Sequence, residues 1–121
     1  MIGLLLSDDL IFTSRVTGTG RDLGFKIAFA KTPEALLELA QKNAPVCVIV
    51  DLANPGLQID NFVADLKRLS PAPTVVAYGS HVDTATLKAA RAAGCDYVMP
   101  RSQFVEALPR DLAVWMKSAA G

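Results

Sequence analysis

The apolar residues of this chain fall into short runs, and five of these have the length and composition of β-strands. The runs at residues 2–6 and 46–50 are continuous and mostly aliphatic, which is typical of strands buried on both faces of a parallel sheet. Residues 25–30 alternate more between apolar and polar side chains, so we expect that strand nearer the sheet edge. Shorter runs at residues 74–78 and 97–99 predict the remaining two strands.

Apolar residues at helical spacing predict a helix after each strand. The first covers residues 10–23, and we expect it to be short or bent because Gly18 and Gly20 lie inside it. Pro109 lies within the last predicted helix, which ends near Ser118, and implies a kink or two shorter helices. The four predicted helices after the first each start at a residue whose side chain suits an N-cap, and these residues are Thr32, Asp60, Asp83 and Ser102.

The alternation of strand and helix, repeated five times with short connections, predicts an α/β domain with a doubly wound, five-stranded parallel sheet. Right-handed crossovers place every strand-to-helix loop at the same edge of that sheet. Asp8 and Asp9 follow the first predicted strand, Asp51 follows the third, and a turn at residues 79–81 follows the fourth. We therefore expect these residues to converge where open α/β sheets carry their ligands and chemistry.

Three converging carboxylates repel one another unless a cation or a proton joins them. A Mg²⁺ ion suits such a site because it prefers oxygen ligands, commonly one or two carboxylates with water and phosphate. A carboxylate beside that ion can also attack a phosphoryl group and form an aspartyl phosphate. The alternative is a solvated acidic rim with only incidental affinity for metals.

Composition excludes several classes of function. Twelve basic residues balance twelve acidic ones, without the basic stripe of a nucleic-acid-binding protein. The apolar runs are far shorter than the roughly 20 residues of a membrane helix, and no signal peptide is visible ahead of the first strand. Cys47 and Cys95 lie in apolar surroundings and are expected to be core residues, which favours a cytoplasmic location. A chain of 121 residues fits one domain, expected over residues 1–121.

Several motifs together resemble response-regulator receiver domains, broadly like the stand-alone chemotaxis receiver. They are the acidic pair after the first strand, Asp51 with residues 54–56 behind it, and residues 92–98 leading into the fifth strand. The resemblance implies a flavodoxin-like sheet with the strand order 2-1-3-4-5. It implies that Asp51 is the phosphoacceptor. It also implies a Mg²⁺ site whose ligands are Asp8, Asp9, Asp51 and the Ala53 carbonyl. Finally, it implies that Tyr97 is the aromatic residue of the switch surface.

Two positions depart from the receiver pattern. Receivers carry Ser or Thr at the end of strand four, where this chain has Gly79, with Ser80 one residue later. They carry Lys-Pro after strand five, where this chain has Pro100 at the lysine position and Arg101 next to it. Ser80 and Arg101 are therefore the candidate phosphoryl contacts, although an arginine fork is not equivalent to the point charge of a lysine.

Three functions follow from these residues. The first is a non-enzymatic receiver that takes a phosphoryl group onto Asp51 from a histidine kinase. The expected partner is this kinase or another signalling protein, and strand five with the last helix is the candidate face for a homodimer. The second is a receiver-like interaction module that is not phosphorylated. The third is a flavodoxin-like binder of a nucleotide or flavin, which an acidic first loop disfavours because it would repel phosphate without a metal.

His81 is expected to be a solvated loop residue, and Trp115 to pack the last helix onto the sheet.

Overall fold

Five parallel strands form a single sheet in the computed structural model, which describes residues 1–117. The strands are β1 (Ile2–Leu6), β2 (Lys26–Ala30), β3 (Cys47–Asp51), β4 (Thr74–Gly79) and β5 (Tyr97–Pro100). Their order across the sheet is β2-β1-β3-β4-β5, and every neighbouring pair is parallel. The predicted doubly wound topology is confirmed, and β2 lies at a sheet edge as its alternating pattern predicted.

Five helices cover the two faces of this sheet. They are α1 (Leu10–Asp22), α2 (Pro33–Asn43), α3 (Ile59–Lys67), α4 (Thr84–Ala92) and α5 (Arg101–Trp115). On one face, α1 and α5 pack against strand residues such as Leu5 and Ile49. On the other, α2, α3 and α4 pack against residues such as Leu4 and Val48. Successive residues of a strand point to opposite faces, so each continuous apolar run supplies both cores.

The two cysteines are both unpaired thiols among the described residues. Cys47 is fully buried in β3, and burial raises the pKa of its thiol to about 12. Cys95 is half-buried before β5 and is likewise a free thiol. Both therefore behave as small apolar residues of the core region, as predicted. Within residues 1–117, no helix is both long enough and apolar enough to cross a lipid bilayer.

The expectation that α1 would be short is wrong, because the helix runs for 13 residues without a break. Gly20 lies against Ile27 of β2, and a Cβ atom at Gly20 would come within 2.7 Å of the Ile27 side chain. This glycine therefore permits close packing of helix on sheet, and tertiary contact offsets its poor helix propensity. The chain leaves the helix at Gly24, whose φ of 85° is in the left-handed region.

Two of the predicted N-caps are confirmed. Thr32 accepts a hydrogen bond from the Ala35 N–H at 3.1 Å and starts α2. Asp83 accepts one from the Thr86 N–H, also at 3.1 Å, and starts α4. In both cases a side-chain oxygen satisfies a donor that the first turn of a helix leaves without a backbone partner.

The predicted caps of α3 and α5 are wrong. α3 begins at Ile59, after Gln58, so Asp60 lies inside the first turn rather than before it. α5 begins at Arg101 directly after Pro100, which likewise places Ser102 inside the helix. Neither Gln58 nor Pro100 makes a side-chain cap hydrogen bond. The fixed φ of Pro100 ends β5 and starts the helix without a polar loop residue between them.

α5 continues as one helix through Pro109, so the alternative of two shorter helices is wrong. Pro109 lies on the exposed side of α5, where solvent can meet the backbone group that the missing N–H leaves unbonded. The described helix ends at Trp115, and Ser118, its predicted end, lies outside the described residues.

Candidate functional site

The carboxyl ends of β1, β3 and β4 bring three polar side chains together. Asp51 is the last residue of β3 and pairs with Tyr78 of β4 in the parallel register. Ser7 directly follows β1 and donates its hydroxyl to Asp51 Oδ2 at 3.4 Å. Tyr78 belongs to the core under α1 and α5, so these three side chains form a row that faces that side of the sheet.

Asp51 is almost enclosed, with 7% of its surface exposed. Its Oδ1 accepts the Ala53 N–H at 2.9 Å, while Oδ2 has only the long contact to Ser7. A buried carboxylate needs hydrogen-bond donors or a cation to balance its charge. Asp51 thus has one oxygen fixed by the backbone and a second that remains open to a further partner.

Asp9 links the starts of two helices. Its Oδ1 accepts the Phe12 N–H at 3.0 Å and caps α1, while its Oδ2 accepts from Arg101 Nη2 at 3.0 Å. The Phe12 N–H and the adjacent Arg101 guanidinium hold the pKa of Asp9 below its usual value. Both oxygens of this carboxylate are therefore engaged within the protein.

Arg101 reaches the site although Pro100 occupies the end of the strand. Pro100 pairs with Gly79 in the β4–β5 ladder, so no shift of register brings Arg101 into the strand. Arg101 is instead the first residue of α5, and its guanidinium lies over the ring of Phe12, 4.3 Å from the centroid. The ring contact and the ion pair to Asp9 hold this cation at the carboxyl edge of the sheet.

A cavity of about 710 Å³ opens at this edge between α1, α5 and the loop after β4. Of the residues selected from sequence, its wall contains Asp9, Asp51, Ala53, Ser80 and Arg101. Asp8 is exposed and is not part of the wall. Tyr97 is also outside it, on β5, where 41% of its surface is exposed. Ser80 is exposed, and its hydroxyl accepts the Val82 N–H at 3.4 Å.

The cavity contains carboxylate oxygens, the type of ligand that Mg²⁺ prefers, but their arrangement is not ready to hold the ion. Asp9 and Asp51 supply two carboxylates, which is a common number for this ion. Within residues 1–117, however, no three His, Cys, Asp or Glu side chains form a group that could hold a metal ion. Asp8 faces solvent and Asp9 is bound to Arg101, so a Mg²⁺ site would have to recruit Asp9 from that ion pair.

The Tyr78 hydroxyl is the least expected group at the site. Tyr78 is 1% exposed, and its hydroxyl has no hydrogen-bond partner among residues 1–117. Burial, followed by the charge of nearby Asp51, raises the pKa of this phenol, so it stays protonated. The hydroxyl is close enough to Asp51 and Ser7 to interact with them electrostatically, but it satisfies hydrogen-bond geometry with neither.

The sequence did not single out Tyr78, Phe12 or the hydroxyl of Ser7 as site residues. The available signal was position alone, because Ser7 stands between an apolar run and the acidic pair, and Tyr78 ends another run. His81 is exposed at the cavity wall, consistent with the predicted solvated loop residue. Trp115 is 2% exposed and packs α5 onto the sheet, as predicted.

Comparison with known sequences gives a partial match. No protein-family model matches the chain. A response regulator receiver protein of Anaeromyxobacter sp. (strain Fw109-5) is 28% identical over 98 residues, which are 81% of this chain and 41% of that protein. The chain thus spans less than half the length of this curated relative.

Solved structures share the fold more clearly. A candidate response regulator from Chloroflexus aurantiacus superposes with a TM-score of 0.82 at 17% identity, covering 95% of this chain and 96% of that one. The receiver domain of NtrX from Brucella abortus gives 0.80 at 19% identity, covering 94% and 97%. A response regulator from Thermotoga maritima gives 0.80 at 15% identity, covering 97% and 98%. The fold is that of receiver domains, and the resemblance drawn from the motifs is confirmed.

Proposed function

We propose that this protein is a receiver module of phosphorelay signalling that accepts a phosphoryl group on Asp51. The observation that carries the proposal is the position of Asp51, which ends the central strand of a receiver fold and lines a cavity with one of its oxygens only weakly bonded. An oriented, almost enclosed carboxylate that shares a cavity with a fixed guanidinium is suited to attack a phosphorus atom.

The transfer would proceed as a simple exchange of bonds. A carboxylate oxygen of Asp51 attacks the phosphorus of an acyl phosphate or a phosphohistidine, and the bond from phosphorus to the donor breaks with its electron pair. The products are an aspartyl phosphate and the released carboxylate or imidazole. Mg²⁺, with Asp9, Asp51 and Ala53 as its proposed ligands, would supply neutralisation of the phosphoryl charge.

Ser80 and Arg101 are the proposed contacts to the phosphoryl oxygens. Arg101 already lies in the cavity wall, so it needs only to exchange the carboxylate of Asp9 for a phosphoryl oxygen. The Ser80 hydroxyl accepts the Val82 N–H and keeps its own proton to donate to a phosphoryl oxygen. The Arg101 contact thus requires a local rearrangement, which suits a signalling module whose two states differ in structure.

A second function, an interaction module without a phosphoryl switch, is favoured by the Asp9–Arg101 ion pair. This pair occupies the acid that would bind the metal and the cation that would bind the phosphoryl group. In that function the partner binds a surface of this protein that does not change with phosphorylation. For either function we propose a histidine kinase or another signalling protein as partner, and the face around Tyr97 on β5 and α5 as the surface for a partner or a homodimer.

Mass spectrometry of the intact protein after incubation with acetyl phosphate and Mg²⁺ tests the first function. The expected result is one added phosphoryl group in the wild type and none in Asp51→Asn, because the amide removes the nucleophilic oxygen. Asp83→Asn is the matched control, since it changes an aspartate that caps α4 away from the cavity. It should be labelled like the wild type.

Two outcomes would contradict the proposal. Equal labelling of Asp51→Asn would show that another residue accepts the group. Absence of labelling in a folded wild type, at donor and Mg²⁺ concentrations that label a standard receiver protein, would leave the interaction module as the function.

A further inference from the structure

The row formed by Ser7, Asp51 and Tyr78 contains a hydroxyl, that of Tyr78, which the receiver pattern does not predict. The pattern places a Ser or Thr hydroxyl at the end of strand four, and this chain has Gly79 there. Tyr78, one residue earlier, stands directly beside Asp51 in the parallel register. Its side chain extends on the Asp51 side of the sheet, under α1 and α5. A different residue therefore brings a hydroxyl to the same carboxylate.

The Tyr78 ring is held rigidly in that direction. Its centroid lies 4.9 Å from that of Phe12 on α1 and 4.6 Å from that of Phe104 on α5, the latter in a stacked arrangement. Aromatic contacts on both sides leave the ring little freedom to swing its hydroxyl away from the site. The hydroxyl is preorganised, which reduces the entropic cost of any hydrogen bond it makes later.

The hydroxyl is a buried donor without an acceptor among residues 1–117. Buried polar groups are nearly always satisfied, because desolvation without a hydrogen bond is unfavourable. An unsatisfied donor beside a carboxylate that has one weakly engaged oxygen indicates an acceptor that arrives at this place. Asp51 Oδ2, whose contact to Ser7 measures 3.4 Å, is the atom from which such an acceptor would extend.

We propose that the Tyr78 hydroxyl donates a hydrogen bond to the phosphoryl group carried by Asp51, in place of the missing strand-four hydroxyl. This inference rests on the proposed function, since it names a further contact of the same site. It differs from the contact predicted from sequence, because Ser80 is exposed and Tyr78 is buried.

The chemistry requires no change in the tyrosine itself. Transfer forms the bond from Asp51 to phosphorus and breaks the bond from phosphorus to the donor, and the phenol keeps its proton throughout. The phosphoryl group brings charged oxygens, and hydrogen bonds to charged acceptors are the stronger class. Loss of the group by hydrolysis returns the Asp51 carboxylate and inorganic phosphate, and leaves the phenol unpaired again.

Tyr78→Phe tests the inference because it removes the hydroxyl and keeps the ring. Beryllofluoride, which mimics a phosphoryl group on a carboxylate, can be titrated into the wild type and the variant with Mg²⁺ and followed by ¹⁹F NMR. We expect the variant to bind about tenfold more weakly or worse, the usual loss for one hydrogen bond to a charged group. Thr13→Val is the matched control and should bind like the wild type. It removes another buried hydroxyl that has no partner among residues 1–117, and Thr13 lies outside the cavity wall.

Unfolding in urea gives an independent readout. A tyrosine hydroxyl that is satisfied in the resting protein stabilises the fold, whereas an unsatisfied one does not. We expect the unfolding midpoint of Tyr78→Phe, measured without beryllofluoride, to equal or exceed that of the wild type. A lowered midpoint would show that the hydroxyl is already bonded and would overturn the inference.

The remaining outcomes separate the inference from the proposed function. If the wild type and Tyr78→Phe bind beryllofluoride equally, the inference fails and the phosphorylation of Asp51 stands. If the wild type neither binds beryllofluoride nor accepts a phosphoryl group, both fail together.

Discussion

Asp9 joins two parts of the candidate site at the level of a single side chain. One of its oxygens caps α1 and the other binds Arg101 at the start of α5. The half-exposed ion pair is held further by the contact between the guanidinium and the Phe12 ring. A metal ion at Asp9 and the guanidinium of Arg101 would therefore compete for the same carboxylate oxygen.

Removing this competitor should strengthen metal binding. In Arg101→Gln the positive charge disappears, so Asp9 Oδ2 becomes available and the repulsion between Mg²⁺ and the guanidinium is removed. We expect the affinity for Mg²⁺, measured by isothermal titration calorimetry, to rise roughly threefold or more. The same change should lower phosphoryl labelling, because it also removes the proposed phosphoryl contact.

Arg91→Gln is the matched control for this prediction. Arg91 is an exposed residue in the last turn of α4 and is not part of the cavity wall. It should leave the affinity for Mg²⁺ unchanged. Equal or weaker Mg²⁺ binding by Arg101→Gln would mean that Asp9 is not a ligand of the ion.

The residues of the site differ in how far sequence could identify them. Asp9 and Asp51 were predictable because a polar residue after an apolar run must lie at the carboxyl edge of the sheet. The separation of Asp8 from the cavity was not, because it depends on which of two adjacent side chains turns inwards to cap α1. Tyr78 was missed for a related reason, since its place beside Asp51 follows from the register of two strands that are distant in sequence.

At the level of elements, α1 shows how tertiary packing decides the role of a glycine. Gly18 and Gly20 have the same intrinsic helix propensity, but a Cβ atom at Gly18 would have no heavy atom within 4 Å. A Cβ atom at Gly20 would meet the Ile27 side chain at 2.7 and 3.1 Å. The first glycine is therefore open to replacement, and the second is required by the contact between α1 and β2.

Alanine at the two positions should have different effects on stability. Gly18→Ala should raise the free energy of unfolding by about 0.5–1 kcal/mol, because it restores helix propensity at no steric cost. Gly20→Ala gains the same propensity but must displace Ile27, which is nearly buried in the core. We expect it to be less stable than Gly18→Ala by about 1 kcal/mol or more. Urea unfolding with equal m-values measures both, and equal stability of the two variants would refute the packing role.

Strands were easier to predict than helix ends for a physical reason. A fully buried parallel strand must be apolar throughout, so the runs in β1, β3 and β4 were visible in the sequence. Helix starts depend on a few atoms at the junction with the preceding element. Asp60 and Ser102 have suitable side chains for capping, but α3 and α5 each begin two residues earlier than those side chains require.

Across the whole molecule, a chain of aromatic rings connects the cavity with the exposed face of β5. Tyr78 stacks on Phe104 with a centroid distance of 4.6 Å, and Phe104 stacks on Trp115 at 5.7 Å. Trp115 in turn lies 6.1 Å from Tyr97, which is partly exposed. A change at Asp51 is therefore connected to the surface proposed for partners by a continuous set of packed contacts.

Trp115 offers a direct measure of this connection because it is the only tryptophan of the chain. Acetyl phosphate with Mg²⁺ should change its fluorescence in the wild type and leave it unchanged in Asp51→Asn. Phe104→Leu removes the ring that contacts both Tyr78 and Trp115, so this variant should still gain a phosphoryl group by mass while its fluorescence change is lost. Phe25→Leu, which alters a side chain packed on the same core but outside the aromatic chain, is the control and should keep the wild-type response. A full fluorescence change in labelled Phe104→Leu would show that the signal reaches the β5 face by another route, such as movement of the loop after β4 that carries Ser80.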